Sequence, residues 1–213
     1  PEDRIILIAL SDNRGFREVI DGRSLSEPDM LRKLFEINRQ IDCDVIEGHN
    51  IYNFDLPYIM RRCALHDIEP QFGREGIRMK TTDGRQMRTD RAQEIQILDI
   101  PGRHIIDTWL LLQNYDHSKR KLESYGLKQA AQHFGFAREN RVYINPDRIS
   151  WHWDHEPDLL VEYALDDVDE TRQLSDVLSP PHFYLTRLTP FNYGTAARNG
   201  SATKIESILL REY

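Results

Sequence analysis

The sequence predicts a mixed α/β fold, in which helices flank a sheet with both parallel and antiparallel strands. Three observations carry this prediction: apolar stretches of strand length, amphipathic stretches of helix length, and their order of hairpin, helix, strand, helix, strand, helix. The 213 residues suffice for one sizeable core. The formal charge of -7 argues against a protein that coats nucleic acid nonspecifically.

A β-hairpin and a helix are predicted first. RIILIALSDN (4–13) is apolar and ends in turn residues, and FREVID (16–21) follows as the return strand. Ser26 then has the properties of a helix cap, because Pro28 lies in the first turn and Asp29 lies three residues after the cap.

The later elements alternate between strand and helix. The helices are bounded by prolines and glycines, which end or begin such segments. The predicted elements are a strand at 44–49, a helix at 56–66, a strand at 104–112 that changes to helix after Asp107, a helix at 127–135 and a long helix at 157–178.

Two segments do not belong to this alternating pattern. Residues 71–103 are polar and glycine-punctuated, which predicts an inserted β-ribbon with TTDGRQ (81–86) as its turn. Residues 182–213 follow a double proline and are expected to leave the domain. We therefore expect a domain at 1–181 and an extension at 182–213.

A lone carboxylate follows the predicted strand at 44–49, in the stretch GHNIYNFDLPYI (48–59). Asp55 stands between an aromatic and an aliphatic residue, directly before a helix. One interpretation is that Asn53 or Asp55 only caps this helix. The other is that Asp55 binds a cation.

A second acidic segment, EYALDDVDE (162–170), lies on the last long helix. Tyr163 and Asp167 are four residues apart and therefore share a helix face. The alternative is an acidic, solvated surface. Two carboxylates from separate elements can share divalent cations, which activate water for phosphodiester hydrolysis, and a tyrosine hydroxyl can orient that water.

These segments resemble motifs of the family B DNA polymerases. HNIYNFD (49–55) resembles their second exonuclease motif, and YALDD (163–167) resembles the third. The stretches between and after these motifs are also similar to the strand, the helix and the lead into the polymerase palm: GRHIIDTWLL (102–111), SYGLKQAAQHFG (124–135) and YGTAARNGSATKIESILLREY (193–213). The resemblance covers nearly the whole chain.

The resemblance implies a ribonuclease-H-like fold and 3′–5′ proofreading hydrolysis of DNA with two Mg²⁺ or Mn²⁺ ions. It makes Asp55 and Asp167 catalytic metal ligands, Tyr163 the residue that positions water, and Asn50 and Phe54 parts of the substrate site. The implied partners are single-stranded DNA or a primer 3′ end and a polymerase domain in the same chain. Glu162 stands where a sister branch has histidine, which favours the tyrosine branch.

The first exonuclease motif of the family, Asp-x-Glu, has no counterpart here, because Pro1-Glu2-Asp3 has the wrong order. We expect that motif upstream and the polymerase acids downstream, and we expect this fragment to be weak or inactive. A module that binds single-stranded DNA without cutting it is the alternative. A stand-alone RNA exonuclease is a third possibility, against which the palm-like stretch argues.

The predicted ribbon is rich in arginine and lysine. Its cations either follow DNA phosphates or lie on a solvated hairpin, and the sequence does not decide between the two. The candidate phosphate contacts are Arg78, Arg85 and Arg88, beside Arg74, Lys80 and Arg91.

Several other residues receive a structural interpretation. The histidines at 49, 104 and 117 lack the spacing of metal ligands, and Cys43 and Cys63 match no metal motif. SWHWDHEP (150–157) either stacks on bases or anchors a loop and the entry to a helix.

No apolar run approaches the roughly 20 residues of a membrane span, so no membrane partner and a cytoplasmic location are expected.

Overall fold

The N-terminal part forms the predicted hairpin and helix. The computed structural model describes residues 3–88, 94–117 and 119–212. Strands β1 (Leu7–Ser11) and β2 (Arg17–Asp21) pair antiparallel. Helix α1 (Glu27–Ile41) begins after Ser26, whose hydroxyl accepts a hydrogen bond from the Asp29 N–H at 3.3 Å. The predicted cap and hairpin are therefore confirmed.

A parallel strand pair brings the motif loop to the end of a sheet. Strand β3 (Val45–Gly48) pairs in parallel with β6 (His104–Asp107), and Gly48 lies opposite Asp107. Each strand is followed by a helix, α2 (Asp55–Leu65) after β3 and α3 (Thr108–Asp116) after β6. The carboxyl ends of both strands and the first turns of both helices therefore lie at one edge.

The inserted ribbon is present, but its turn is not where the sequence placed it. Strand β4 (Lys80–Arg88) pairs antiparallel with β5 (Glu94–Asp99). The segment 81–86 lies inside β4, where the pairing register shifts between Thr81 and Gln86. The prediction of a turn at TTDGRQ is therefore wrong: the Asp-Gly step accommodates an irregularity of the strand instead of reversing the chain.

Helices make up most of the C-terminal half. They are α4 (Leu127–Phe134), α5 (Ile149–His155), α6 (Pro157–Leu178), α7 (Pro180–Leu185), α8 (Tyr193–Arg198) and α9 (Ser201–Glu212). Helix α4 ends at Gly135 in the left-handed conformation, as its sequence predicts. Helix α6 packs against β1, β3, α3 and α4 and so joins the hairpin to the parallel pair. The fold is the predicted mixed α/β class.

The segment after the double proline packs partly onto the sheet. In α8, Ala196 and Ala197 are buried, and a Cβ on Gly194 would lie 3.2 Å from the Ile105 carbonyl oxygen. Helix α8 thus lies closely against β6. Helix α9 leaves Ile205, Leu209 and Leu210 exposed. A domain boundary near residue 181 remains a prediction.

Candidate active site

Asp55 is the first residue of α2 and does not serve as its cap. The cap position is Phe54, and no side chain there hydrogen-bonds to the helix end. The Asn53 amide instead donates to the Asn50 side-chain oxygen at 2.8 Å. The solvent reaches Asp55, yet desolvation by the protein around it raises the pKa of its carboxyl to about 6. This environment disfavours the capping interpretation.

Asp107 is the last residue of β6, at the same edge of the sheet, and its side chain is buried. Its carboxylate accepts hydrogen bonds from the backbone N–H groups of Asn50 at 2.8 Å, Trp109 at 3.0 Å and Tyr52 at 3.3 Å. Desolvation raises the pKa of Asp107 to about 6 against these bonds, and the Asp55 charge raises it further. Asp107 therefore holds the motif loop on β6 and places a second acid within electrostatic range of Asp55.

The predicted Tyr163/Asp167 pair lies on α6 between two cations. The guanidinium of Arg141 forms an ion pair with the Asp167 carboxylate. The Arg141 Cζ atom lies 5.2 Å from the centre of the Tyr163 ring, and the Lys128 Nζ atom lies 4.6 Å from it. Desolvation raises the pKa of Asp167, and Arg141 opposes that rise.

Arg141 is itself buried among the acids of α6. Its Nε and Nη2 atoms donate to the Glu170 carboxylate at 2.7 and 3.1 Å, and its Nη1 lies 3.6 Å from Asp166 Oδ2. Asp166 and Glu170 are 2% and 4% exposed. The interpretation of segment 162–170 as a solvated acidic surface is therefore wrong for these two residues, because they enclose a buried guanidinium.

The geometry at this edge agrees with the comparison to known families. Residues 10–130, more than half of the chain, match the family model described as DNA polymerase family B, exonuclease domain. The chain belongs to this family. Its β3–β6 edge and the N-terminal half of α2 lie within the matched residues.

The relatives are much longer proteins. DNA polymerase 1 of Pyrococcus abyssi is 25% identical over 218 residues, which cover 98% of this chain and 26% of that protein. The DNA polymerase delta catalytic subunit of Dictyostelium discoideum is 36% identical over 125 residues, or 56% of this chain and 11% of that protein. The chain thus spans about a quarter of the P. abyssi polymerase and about a tenth of the D. discoideum subunit.

A solved structure shares the fold. The family B DNA polymerase from Pyrobaculum calidifontis superposes with a TM-score of 0.81 over 98% of this chain and 26% of that chain, at 23% identity. The exonuclease domain described here therefore has the ribonuclease-H-like fold expected from its motifs.

The described carboxylates do not complete a metal site in this exonuclease domain. Carboxylate oxygens are suitable ligands for Mg²⁺ and Mn²⁺. In the part of the chain that the structure describes, however, no group of three or more histidine, cysteine, aspartate or glutamate side chains could hold an ion. The charged neighbour of Asp55 is Asp107, whereas that of Asp167 is Arg141. Asp55 and Asp167 alone therefore do not fit a two-ion centre.

The motif loop of the exonuclease domain presents one aromatic side chain to solvent. Phe54 is 62% exposed and stacks on Tyr58, with ring centres 5.7 Å apart. Asn50 has a positive φ of 63° and its side chain holds Asn53. An exposed, supported ring suits stacking with a base, so the assignment of Phe54 to the substrate site remains a prediction with a favourable geometry.

The structure describes the side chain of only one of the three predicted DNA contacts on the ribbon. Arg78 is exposed just before β4. Arg85 and Arg88 lie on β4, but their side chains are outside the described part of the structure, and Arg91 lies outside the described residues altogether. Their contact with phosphates remains a prediction.

Of the residues interpreted as structural, His49 and the two cysteines have buried or half-buried positions. His49 lies 2.9 Å from both Thr108 Oγ1 and the Tyr125 carbonyl oxygen, and burial lowers its pKa to about 4. Cys63 is buried and Cys43 is partly buried. The aromatic segment at 150–157 supplies α5, in which the rings of Trp151 and His155 stack with their centres 4.7 Å apart.

None of the helices in the described ranges is long and apolar enough for a membrane span.

Sequence reasoning missed two residues of this site, Asp107 and Arg141. Asp107 was noted only as the point where a strand changes to a helix, although an acid at the end of a β-strand deserves the same consideration as Asp55. Arg141 carried a weaker signal. It is one cation in the loop before α5, and its acidic partners lie 25 or more residues away.

Proposed function

We propose that the domain acts as a 3′–5′ proofreading exonuclease on single-stranded DNA or a primer 3′ end, within a longer polymerase chain. The reaction would be two-metal phosphodiester hydrolysis with Asp55 and Asp167 among the carboxylate ligands. The observation that carries the proposal is the solvent-reachable Asp55 beside the buried Asp107, at the strand edge of a family B exonuclease domain. The carboxylates in the described ranges are too few for a complete two-ion centre.

The chain's own side chains have distinct parts in this proposal. Phe54 stacks on a terminal base, and Asp107 fixes the loop that carries it. Tyr163 orients the attacking water through its hydroxyl. Because Arg141 already neutralises Asp167, the isolated chain should cut very slowly or not at all.

The test uses a longer polymerase chain that carries an Asp-x-Glu segment before residue 1. Asp167→Ala should abolish release of nucleotides from 5′-labelled single-stranded DNA while it largely spares binding. Tyr163→Phe should slow cutting less, because general acid–base and water-positioning groups contribute about 10²–10⁴-fold. Asp176→Ala, an exposed acid on the same helix, is the matched control and should leave cutting unchanged. Normal cutting by both Asp55→Ala and Asp167→Ala would exclude the mechanism.

The ribbon is tested separately, by the salt dependence of DNA binding. We expect replacement of Arg78, Arg85 and Arg88 by alanine to weaken binding of single-stranded DNA. Each lost phosphate contact should reduce the slope of log affinity against log salt by about 0.7. An unchanged slope would leave the ribbon as a solvated hairpin.

A second candidate function is a module that binds DNA without cutting it. One observation favours it: a buried guanidinium, Arg141, lies against both Asp167 and Glu170 and compensates part of their negative charge. A longer chain with Asp-x-Glu that binds single-stranded DNA, yet releases no nucleotide with either Mg²⁺ or Mn²⁺, would establish this function instead.

A further inference from the structure

A polar cavity lies behind the motif loop, away from Asp55. It occupies about 430 Å³ between the β4–β5 ribbon, β6 and α8. Sites for small ligands in proteins range from about 300 to 1,000 Å³, so a nucleotide-sized molecule fits the space. Hydrogen-bonding side chains line much of it: Thr81, Thr82, Thr195, Asn192 and His104.

The charges that line the cavity are mainly positive. Among the described residues of its lining, Lys80, Arg103 and Arg198 face one acid, Asp99, which lies opposite Lys80 in the ribbon register. Arg103 is already engaged by Asp42, at 3.2 Å. Among the residues that the structure describes, neither Lys80 nor Arg198 forms an ion pair. Two cations without a carboxylate partner therefore line one polar cavity.

The inner wall of the cavity includes a buried tyrosine. Tyr52 is 1% exposed, and its hydroxyl lies near Arg198, which acts to lower the pKa of the phenol. Burial raises the pKa of Tyr52 to about 12, so the phenol keeps its proton. The backbone N–H of Tyr52 donates to Asp107, which connects the cavity wall to the motif loop. The neutral tyrosine thus lies beside one guanidinium of the cavity and leaves its charge uncompensated.

We propose that this cavity binds a phosphate group, with Arg198 and Lys80 as its charged ligands. A guanidinium forms directed, charge-assisted hydrogen bonds with phosphate oxygens, and the neighbouring hydroxyl and amide groups supply further donors. The phosphate belongs either to a free nucleoside monophosphate or to the backbone of a DNA strand. This site is separate from the candidate active site and does not depend on exonuclease activity.

Calorimetric titration of the 213-residue chain with dTMP, thymidine and a single-stranded oligonucleotide of dT tests the proposal. The chain should bind dTMP or the oligonucleotide, but not thymidine, which lacks the phosphate. Arg198→Gln should weaken binding by about tenfold or more, as expected for loss of a charge-assisted hydrogen bond. Arg187→Gln removes an exposed arginine of the same C-terminal segment outside the cavity and should leave affinity unchanged.

Lys80→Gln provides an independent variant, because Arg198 also contacts Tyr52 and its loss could disturb the fold. Lys80 is exposed, so this variant should keep the melting temperature and still weaken binding. Binding of dTMP that competes with the oligonucleotide identifies a free monophosphate as a ligand, and binding of the oligonucleotide alone identifies a strand phosphate. Equal binding of thymidine, no binding of any phosphate probe, or unchanged affinity in both variants would overturn the proposal.

Discussion

Acidic side chains lie at both ends of helix α2, in opposite electrostatic situations. Near its C-terminal end, the buried Glu27 of α1 binds Arg62 at 2.7 and 2.5 Å and His66 at 2.7 Å, and it accepts the Ile5 N–H at 2.7 Å. Burial would raise the pKa of Glu27, but these bonds lower it to about 2. At the N-terminal end of the helix, the pKa of Asp55 is raised to about 6.

The difference separates an acid that stabilises the fold from one that remains available for binding. Glu27 forms an ion pair with Arg62 and a hydrogen bond with His66, so its charge is compensated inside the protein. Desolvation disfavours the ionised form of Asp55, and the Asp55 charge in turn helps to raise the pKa of the neighbouring Asp107. Strongly shifted pKa values of this second kind concentrate at functional sites, although ion-pair networks also shift them.

The largest effect should come from breaking the compensated end. Glu27→Gln removes the Glu27 charge from its ion pair with the buried Arg62, and loss of one member of a buried ion pair costs about 3–5 kcal/mol of the free energy of unfolding. Chemical denaturation measures this loss. Glu36→Gln, on the exposed face of the same helix, is the control and should change stability little. A Glu27→Gln chain as stable as the original would contradict the comparison.

The pH dependence of stability should have opposite signs at the two ends. The lowered pKa of Glu27 gives stability that is present above pH 4.5 and is lost as the pH falls toward about 2. The raised pKa of Asp107 makes the folded form retain a proton that the unfolded chain releases near pH 3.8. Stability therefore falls as the pH rises from about 4 to about 6.

Asp107 alone should contribute a loss of roughly 3 kcal/mol between pH 4 and 6, since its pKa is raised from 3.8 to about 6 and one pKa unit corresponds to about 1.4 kcal/mol. Denaturation curves in metal-free buffer between pH 2 and 7 measure both slopes. Asp107→Asn should remove the share of Asp107 from the fall between pH 4 and 6. The share of Asp55, whose pKa is also raised to about 6, and the acid slope of Glu27 should remain. The original slope in that variant would show that Asp107 is not its source.

Divalent cations should have a smaller effect. Because Asp55 and Asp107 repel each other, Mg²⁺ or Mn²⁺ should stabilise the folded chain weakly, with millimolar affinity. Tenfold excess over such a dissociation constant adds about 1.4 kcal/mol. Thermal melts with and without 10 mM ion measure the shift, and Asp55→Asn should remove it. An equal shift in that variant would assign the ion to another site.

The smallest effect should come from an exposed ion pair beside the site. Arg17 on β2 lies 2.6 Å from Asp169 on α6, and both side chains are more than a third exposed. Exposed pairs contribute about 0.2–1 kcal/mol, so Arg17→Gln should change the free energy of unfolding by about 0.5 kcal/mol. A loss of several kcal/mol would mean that the exposure of this ion pair does not predict its contribution to the free energy of unfolding.

The sequence predicted most elements because their signals are local. Ser26 with Pro28 marks the start of α1, and Gly135 marks the end of α4. The turn of the ribbon was misplaced because an Asp-Gly step is compatible with a strand irregularity as well as with a reversal, and the pairing with β5 decides between them. Such long-range pairing leaves little trace in a single sequence.

The candidate site was only partly predictable for the same reason. Asp55, Tyr163 and Asp167 were found because short motifs contain them. The pairing of Arg141 with Asp167 depends on how the loop after α4 lies over α6, and the role of Asp107 depends on its register opposite Gly48. These relations arise from the fold, and no spacing along the chain reveals them.

Helix α2 also connects the two ends mechanically, with consequences for genetics. Asp55 and Arg62 are seven residues apart, or about 10 Å along a rigid helix. Because Glu27 anchors Arg62, a substitution at Glu27 that loosened the anchor would also displace the carboxylate at the other end. If the domain proofreads within a polymerase chain as proposed, a substitution at Glu27 would then raise the mutation rate of a strain as damage to the Asp55 motif does. Only a comparison of protein abundance with replication fidelity would separate the two classes of allele.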